Sequence, residues 1–178
     1  GTQSPDLALS LLSRAKGAGN LTGFELMARI GIEFTVRHTE GGRDPMEAPH
    51  AWYVLVEFSS AQSDEEANTR MEAFLVDAFE NGEADDAVIA QSSAQADAFW
   101  RLREEMSWAQ KPEGGSIKHD ISVPIAAIPE FLREADEAVS ALIPGVRFCT
   151  FGHLGDGNLH YNISQPIGVD KQAYLSRW

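Results

Sequence analysis

The strongest constraint on the fold comes from residues 151–162, where a glycine-rich bend lies between two short apolar stretches. An Asp-Gly pair at residues 156–157 is typical of a two-residue hairpin, because a type I′ turn requires positive φ at both central positions. With the bend centred on that peptide bond, His153 pairs directly with His160, and a four-residue loop with the same centre gives the same register. The segment therefore predicts two antiparallel strands joined by a tight turn.

This register gives the two faces of the hairpin different characters. Directly opposed residues have Cβ atoms about 4.5–5.5 Å apart and point to one face, so His153 and His160 can bind one divalent ion with nitrogens at about 2.0–2.1 Å. Asn162 lies two residues beyond His160 and shares this face. Leu154 and Leu159 pair and point the other way, into the predicted core. A catalytic metal site commonly needs a third protein ligand, such as a carboxylate.

Length and charge restrict the class of protein. At 178 residues the chain suits a single domain. Its formal net charge of −13 argues against nucleic acid as a partner, because the phosphates would be repelled. A site for an anionic substrate would need local cations against this acidic background. The sequence holds no apolar run of about 18 residues, so we expect no membrane span.

Cys149 is the single cysteine of the chain. A disulfide framework is therefore excluded, which fits a reducing compartment, and we expect the cytoplasm. We interpret Cys149 as a small apolar residue of the strand predicted around residues 146–151. A thiol nucleophile is the alternative.

Hydrophobic periodicity and capping signals predict a mixture of helices and strands. Helices are predicted at residues 5–16, 24–36, 63–81, 92–110 and 129–143. Strands are predicted at residues 52–58, 87–90, 117–123, 146–153 and 158–164, the first of them interior to a sheet because both of its faces are apolar. The predicted class is α+β, a mainly antiparallel sheet with helices packed on one face.

Four stretches of the sequence resemble one family. The nonapeptide Gly-His-Leu-Gly-Asp-Gly-Asn-Leu-His at residues 152–160 resembles the signature of the C-terminal domain of FAD-linked oxidases in the vanillyl-alcohol oxidase superfamily. Gly-Phe-Glu-Leu-Met at 23–27, Trp-Arg-Leu-Arg-Glu at 100–104 and Lys-His-Asp-Ile-Ser-Val-Pro at 118–124 agree with the family in order. Within it, the chain is similar to the D-2-hydroxyglutarate dehydrogenase, D-lactate dehydrogenase and glycolate oxidase type over roughly residues 20–165.

The resemblance implies a ferredoxin-like α+β domain of a flavoenzyme that oxidises a D-2-hydroxy acid by hydride transfer to FAD. It implies a divalent metal, usually zinc, bound by His153 and His160. The family's third ligand and its catalytic base lie in a later Glu-His-Gly motif, which residues 1–178 lack, so no catalytic base is assigned here. We expect a fragment that is inactive alone. Its expected partners are a small 2-hydroxy acid, the flavin-binding domain of the same protein and a second copy in a homodimer.

The resemblance assigns substrate binding to four polar residues, namely Arg103, Ser107, Lys118 and Asn162. Arg103 and Ser107 are four positions apart, so they share one helix face, and a guanidinium suits a carboxylate. Lys118 takes the strand parity that points away from the core. Ser107 replaces a threonine of the hydroxyglutarate enzymes and keeps the hydroxyl, and His119 replaces the family's tyrosine.

The residues themselves leave alternatives open. Arg103 could form an ordinary salt bridge with Glu104 or Glu105, and Lys118 could pair with Asp120 on a solvated strand. The chain could also be a zinc-dependent hydrolase, whose third ligand would come from one of the other histidines: His38, His50 or His119. A third reading is a non-catalytic α+β module with a purely structural hairpin.

Overall fold

The computed structural model describes residues 1–177 and shows a five-stranded sheet with six α-helices. The strands are β1 (Asn20–Ala28), β2 (Trp52–Ser59), β3 (Ser116–Ser122), β4 (Arg147–His153) and β5 (Asn158–Ser164). The helices are α1 (Pro5–Ala18), α2 (Arg29–His38), α3 (Asp64–Glu80), α4 (Ser93–Ala109), α5 (Ile128–Leu142) and α6 (Lys171–Arg177). No helix within residues 1–177 is long and apolar enough to cross a membrane.

The sheet is antiparallel throughout, with strand order β2-β1-β4-β5-β3, and this confirms the predicted α+β class. Helices α1, α3 and α5 pack over one face, around a core that includes Leu12, Leu26 and Phe74. Helices α2 and α4 add a smaller layer on the other face, which buries Met106 and Phe151. This second layer forms because β1 and β4 carry apolar side chains at both parities.

Serine side chains cap the starts of three helices. Ser4, Ser63 and Ser92 each accept a hydrogen bond from the backbone amide three residues further on, at 3.2, 3.2 and 3.3 Å. Each bond satisfies one of the amides that a first helical turn leaves without a partner. The starts predicted for α3 and α4 are therefore confirmed.

The helix predicted at residues 24–36 is wrong in its first third. β1 continues to Ala28, and the helix begins only at Arg29. In the strand, Phe24 enters the larger core and Met27 the smaller one, because successive side chains point to opposite faces. The apolar spacing fits both a helix and a strand buried on two faces. As part of a strand, Glu25 points to the same sheet face as Met27.

Two strand predictions also need correction. Residues 52–58 do form β2, but at the edge of the sheet, where β1 is its one neighbouring strand in the described part of the chain. Residues 87–90 are irregular rather than a strand. A period of two in the sequence shows that a segment suits a sheet, whereas a neighbouring strand comes only from the tertiary fold.

The hairpin loop differs from the predicted type I′ turn. It is a 3₁₀ turn over Leu154–Asp156 followed by Gly157 at a φ of 73°. A type I′ turn would place Asp156 at positive φ, which is unfavourable for a residue with a Cβ, whereas this loop requires it of a glycine alone. A Cβ on Gly157 would also lie 2.2 Å from the carbonyl oxygen of Val123, the residue that follows β3, so this segment packs closely against the loop.

The predicted hairpin register is therefore wrong by two residues. His153 lies opposite Asn158, and His160 lies opposite Phe151. Because the error is even, every side chain keeps its predicted face, and the two histidines are diagonal neighbours on one face. The hairpin also buries both of its predicted core leucines, Leu154 and Leu159.

Replacing Gly152 by alanine should lower the free energy of unfolding by about 1–3 kcal/mol. A Cβ there would lie 2.7 Å from the Asn158 carbonyl oxygen and 2.9 Å from the Leu159 Cα, so the two strands would have to separate. Urea unfolding measures the change. The matched control is Gly17→Ala in the last turn of α1, where a Cβ meets nothing within 4 Å and stability should rise by up to about 1 kcal/mol. Equal midpoints for the two variants would contradict the steric argument.

Glu113, between α4 and β3, links the end of α2 to the start of β4 through its carboxylate. The carboxylate accepts hydrogen bonds from Arg147 at 2.6 Å, from His38 at 2.7 Å and from Arg37. Burial alone would raise the pKa of Glu113, but these hydrogen bonds outweigh it and lower the pKa to about 2.

The lowered pKa predicts a specific pH dependence for Glu113→Gln. The carboxylate contributes stability that is fully present above its ordinary pKa of 4.5 and is lost as the pH falls through about 2. The variant should therefore lose about 3 kcal/mol at pH 7, and its stability should vary less between those pH values. Thermal unfolding across this range checks it, with exposed Glu72→Gln as the control. A parallel pH profile for Glu113→Gln and the wild type would contradict the prediction.

Candidate functional site

The predicted polar residues meet on the sheet face that α2 and α4 cover in part. Neighbouring strands supply His153 from β4, His160 and Asn162 from β5 and Lys118 from β3, and α4 supplies Arg103 and Ser107. Their parity places them on the face of Phe151, opposite the larger core. The structure thus brings all six residues to one side of the sheet.

A buried carboxylate, Glu25 of β1, links two of these residues. Its Oε1 lies 2.5 Å from His153 Nδ1, and its Oε2 accepts a hydrogen bond from Arg103 Nε at 2.6 Å. The Glu25 side chain is 3% exposed and that of Arg103 is 10% exposed, so the ion pair is screened from water. The pairing fixes the His153 ring through one nitrogen and leaves the other, Nε2, free of this contact.

Arg103 uses only part of its hydrogen-bonding capacity within the protein. Its guanidinium lies over the Phe151 ring, 4.9 Å from the centroid, and only Nε is bound to Glu25. Within residues 1–177 neither terminal nitrogen donates a hydrogen bond, although the residue is 8% exposed. A fork of donors in this state suits an added carboxylate.

His160 packs against the same aromatic ring, with 5.0 Å between its ring centroid and that of Phe151. Its Nδ1 lies 3.7 Å from Asp120 Oδ1, too far for a hydrogen bond. Burial lowers the pKa of His160, and Arg103 and His153 act in the same direction against Asp120. These effects favour the neutral form of the ring, which is the state that ligates metals.

Asn162, Lys118 and Ser107 continue the site along the strands. Asn162 is 2% exposed, and its side-chain amide makes no hydrogen bond in the part of the chain that the structure describes. Lys118 lies opposite Asn162 in the β3–β5 ladder and donates from Nζ to the Ser107 carbonyl oxygen at 3.0 Å. The predicted strand parity of Lys118 is confirmed, and its ammonium contacts α4 rather than Asp120.

The other predicted candidates lie elsewhere. His38 binds Glu113, His50 precedes β2 and lies beside two aspartates, and His119 contacts the Tyr161 carbonyl oxygen from the opposite parity of β3. Cys149 is fully buried, and burial raises the pKa of its thiol to about 12, which supports packing rather than nucleophilic chemistry. Within residues 1–177 no three His, Cys, Asp or Glu residues are placed to hold a metal together.

Glu25 is the site residue that the sequence interpretation missed. A charged residue in the apolar stretch Phe-Glu-Leu-Met is itself a signal, because carboxylates are almost never fully buried unless paired. Reading the stretch as a helix concealed it. A strand reading would have placed Glu25 on the inner face and required a cationic partner.

The sequence matches a family described as "FAD linked oxidases, C-terminal domain" over residues 1–175. It is 33% identical to a mitochondrial D-2-hydroxyglutarate dehydrogenase of Arabidopsis thaliana over 89% of this chain and 28% of the relative. It is 35% identical to a D-2-hydroxyglutarate dehydrogenase of Xanthomonas citri pv. viticola over 96% of this chain and 35% of the relative. A D-2-hydroxyglutarate–pyruvate transhydrogenase of Saccharomyces cerevisiae is 31% identical over 92% of this chain and 35% of its own length.

The chain thus spans about a third of the length of these curated relatives. The family match covers β1 to β5, including Glu25 and both hairpin histidines. The chain belongs to the FAD-linked oxidases, as a C-terminal domain of that family.

Proposed function

We propose that this domain binds the substrate and a metal ion in an FAD-dependent dehydrogenase that oxidises a D-2-hydroxy acid to the 2-oxo acid. One observation carries the proposal. Three side chains that point to one sheet face have polar groups without a partner within residues 1–177: the terminal nitrogens of Arg103, the Asn162 amide and the His160 ring. None of these atoms is fully enclosed within residues 1–177, so a ligand can reach them, and unpaired donors and acceptors gathered on one face favour a polar ligand.

The charges at the site favour an anionic ligand. The whole chain carries a net charge of −13, yet Arg103 and Lys118 lie on this face. Arg103 would bind one carboxylate through its free terminal nitrogens, with Ser107 on the same helix face. Lys118 would serve a second carboxylate, which favours a dicarboxylic hydroxy acid. The relatives named as D-2-hydroxyglutarate dehydrogenases support that choice, and lactate or glycolate are the alternatives.

The residues present fit part of a metal site. His153 and His160 share one face, burial favours the neutral form of His160, and Glu25 holds His153 Nδ1 so that Nε2 is available. A carboxylate behind a metal-ligating histidine is a common arrangement, because it fixes the tautomer and the ring orientation. A zinc ion held there would polarise the hydroxyl of the substrate. The third ligand would come from outside residues 1–178.

The protein groups would orient the substrate and exclude water. Arg103 lies against Phe151, so a bound carboxylate would meet a desolvated guanidinium and a stacked ring. Asn162 would hydrogen-bond the substrate near His160. FAD, bound mainly by a further domain of the same protein, would accept the hydride. A reducing compartment and a homodimer remain part of this proposal.

The proposal is tested with the complete flavoprotein. Stopped-flow absorbance should show flavin reduction by D-2-hydroxyglutarate, with D-lactate and glycolate as competing substrates and the L-enantiomers as controls. Exhaustive chelation should abolish reduction, and added zinc should restore it. No flavin reduction by any 2-hydroxy acid would refute the activity, and full reduction after chelation would refute the metal.

A hydrolase is not favoured. It would need a third ligand from within the chain, and His38, His50 and His119 each lie away from the hairpin histidines with other contacts.

A further inference from the structure

A cavity of about 560 Å³ follows the outer edge of β2, the edge that faces away from β1. Its lining is mainly apolar on both sides of the sheet plane. Met71 and Phe74 of α3 contribute on the side of the larger core, and Met27 and Leu102 contribute on the other. The irregular residues 84–91 form the wall opposite β2. The cavity therefore lies between β2 and the irregular segment 84–91.

The first pairing of an additional strand already exists at one end of this gap. Thr2 and Trp52 form an isolated antiparallel bridge, with both backbone hydrogen bonds at 3.0 Å. Trp52 is the first residue of β2, so an antiparallel strand that continues backwards from Thr2 would run along β2 toward Phe58. Since backbone groups alternate in direction along a strand, the amides of Val54 and Val56 point outward like that of Trp52.

The opposite wall offers backbone groups as well. The Gly1 nitrogen donates to the Asp86 carbonyl oxygen at 2.8 Å, and the Asp85 amide donates to the Gly1 carbonyl oxygen at 3.0 Å. Residue 1 is thus hydrogen-bonded to residues 85–86 while Thr2 is bonded to β2. In the described part of the chain, residues 88–90 form no backbone–backbone hydrogen bond, and the Ile89 carbonyl oxygen accepts a single bond from Gln91 Nε2 at 3.2 Å.

We propose that this cavity accommodates an additional β-strand that runs antiparallel to β2 and joins Gly1 directly in a longer polypeptide. About six residues at a rise of about 3.4 Å would reach the end of β2. The strand would be apolar at both parities, because the cavity is apolar on both sides. It would make β2 an interior strand and give residues 87–90 a neighbour, which accounts for the sequence pattern of both segments.

The proposal rests on the proposed function only in treating residues 1–178 as part of a longer enzyme, and its test does not involve catalysis. The probe is this chain with an N-terminal extension of about six alternating valine and isoleucine residues before Gly1. In amide hydrogen exchange followed by NMR, the Val54 and Val56 amides should exchange on the order of a hundredfold more slowly than in residues 1–178. The Leu55 amide, which points toward β1, should be unchanged.

The matched control is an extension of equal length with proline in place of valine, since proline cannot donate to a ladder. Protection of Val54 and Val56 by the valine extension alone supports the proposal. Equal exchange with both extensions and without one would overturn it. Protection in the unextended chain that grows with protein concentration would also overturn it, because the occupant would then be the edge of a second copy.

Discussion

Replacing Glu25 by alanine is expected to lower the free energy of unfolding by about 3–5 kcal/mol and the melting temperature by roughly 10 °C. The carboxylate is the one hydrogen-bond acceptor for the Arg103 guanidinium within the described residues, and the two side chains are 3% and 10% exposed. Removing it leaves a positive charge over Phe151 without compensation. Calorimetry or urea unfolding of residues 1–178 measures the loss.

The controls separate burial from charge. Glu33→Ala removes a carboxylate paired with Arg29, but its side chain is 43% exposed, so the change should stay within about 1 kcal/mol. The double variant Glu25→Leu with Arg103→Met removes both charges and should recover most of the stability. Equal losses for Glu25→Ala and Glu33→Ala would show that the buried pair is not what matters.

Glu25 also has a positioning role in the proposal, and a second readout isolates it. Glu25→Gln keeps the size of the side chain but weakens the hold on His153 Nδ1. In the complete flavoprotein this variant should bind metal about 10–100-fold more weakly. A purely structural residue would alter stability and leave metal affinity unchanged.

The second large effect is expected from His160→Ala and His153→Ala in the complete flavoprotein. If the proposed function holds, each variant should lose the metal, and kcat/KM should fall about a thousandfold or more, because several kcal/mol of stabilisation of the transition state would be removed. Elemental analysis and steady-state kinetics with D-2-hydroxyglutarate measure the two changes. Both variants should remain folded, since the His153 side chain is 53% exposed and that of His160 is 34% exposed.

His119→Ala is the matched control for the histidine variants. Its ring contacts the Tyr161 carbonyl oxygen and lies on the opposite parity of β3. This variant should keep both the metal and the activity. Retention of metal in His160→Ala would contradict the proposed ligand pair, even if activity were lost.

The sequence alone determined the features that depend on local periodicity. Alternation along residues 151–162 placed both histidines and Asn162 on one face and both leucines in the core, and this assignment survived a two-residue error in register. Capping serines predicted the starts of α3 and α4 for the same reason, because a cap acts within one turn of helix. The motif at residues 152–160 was enough to indicate the family.

Tertiary structure decided everything that joins distant segments. The bonds from Glu25 to Arg103 and to His153 cross 78 and 128 residues, and no local pattern contains them. The strand at residues 24–28, the edge position of β2 and the second helical layer likewise depend on which distant segments of the chain pack beside them. Side-chain direction follows from the backbone period within a few residues, whereas hydrogen-bonding partners and burial on a second face are set only when the whole sheet has assembled.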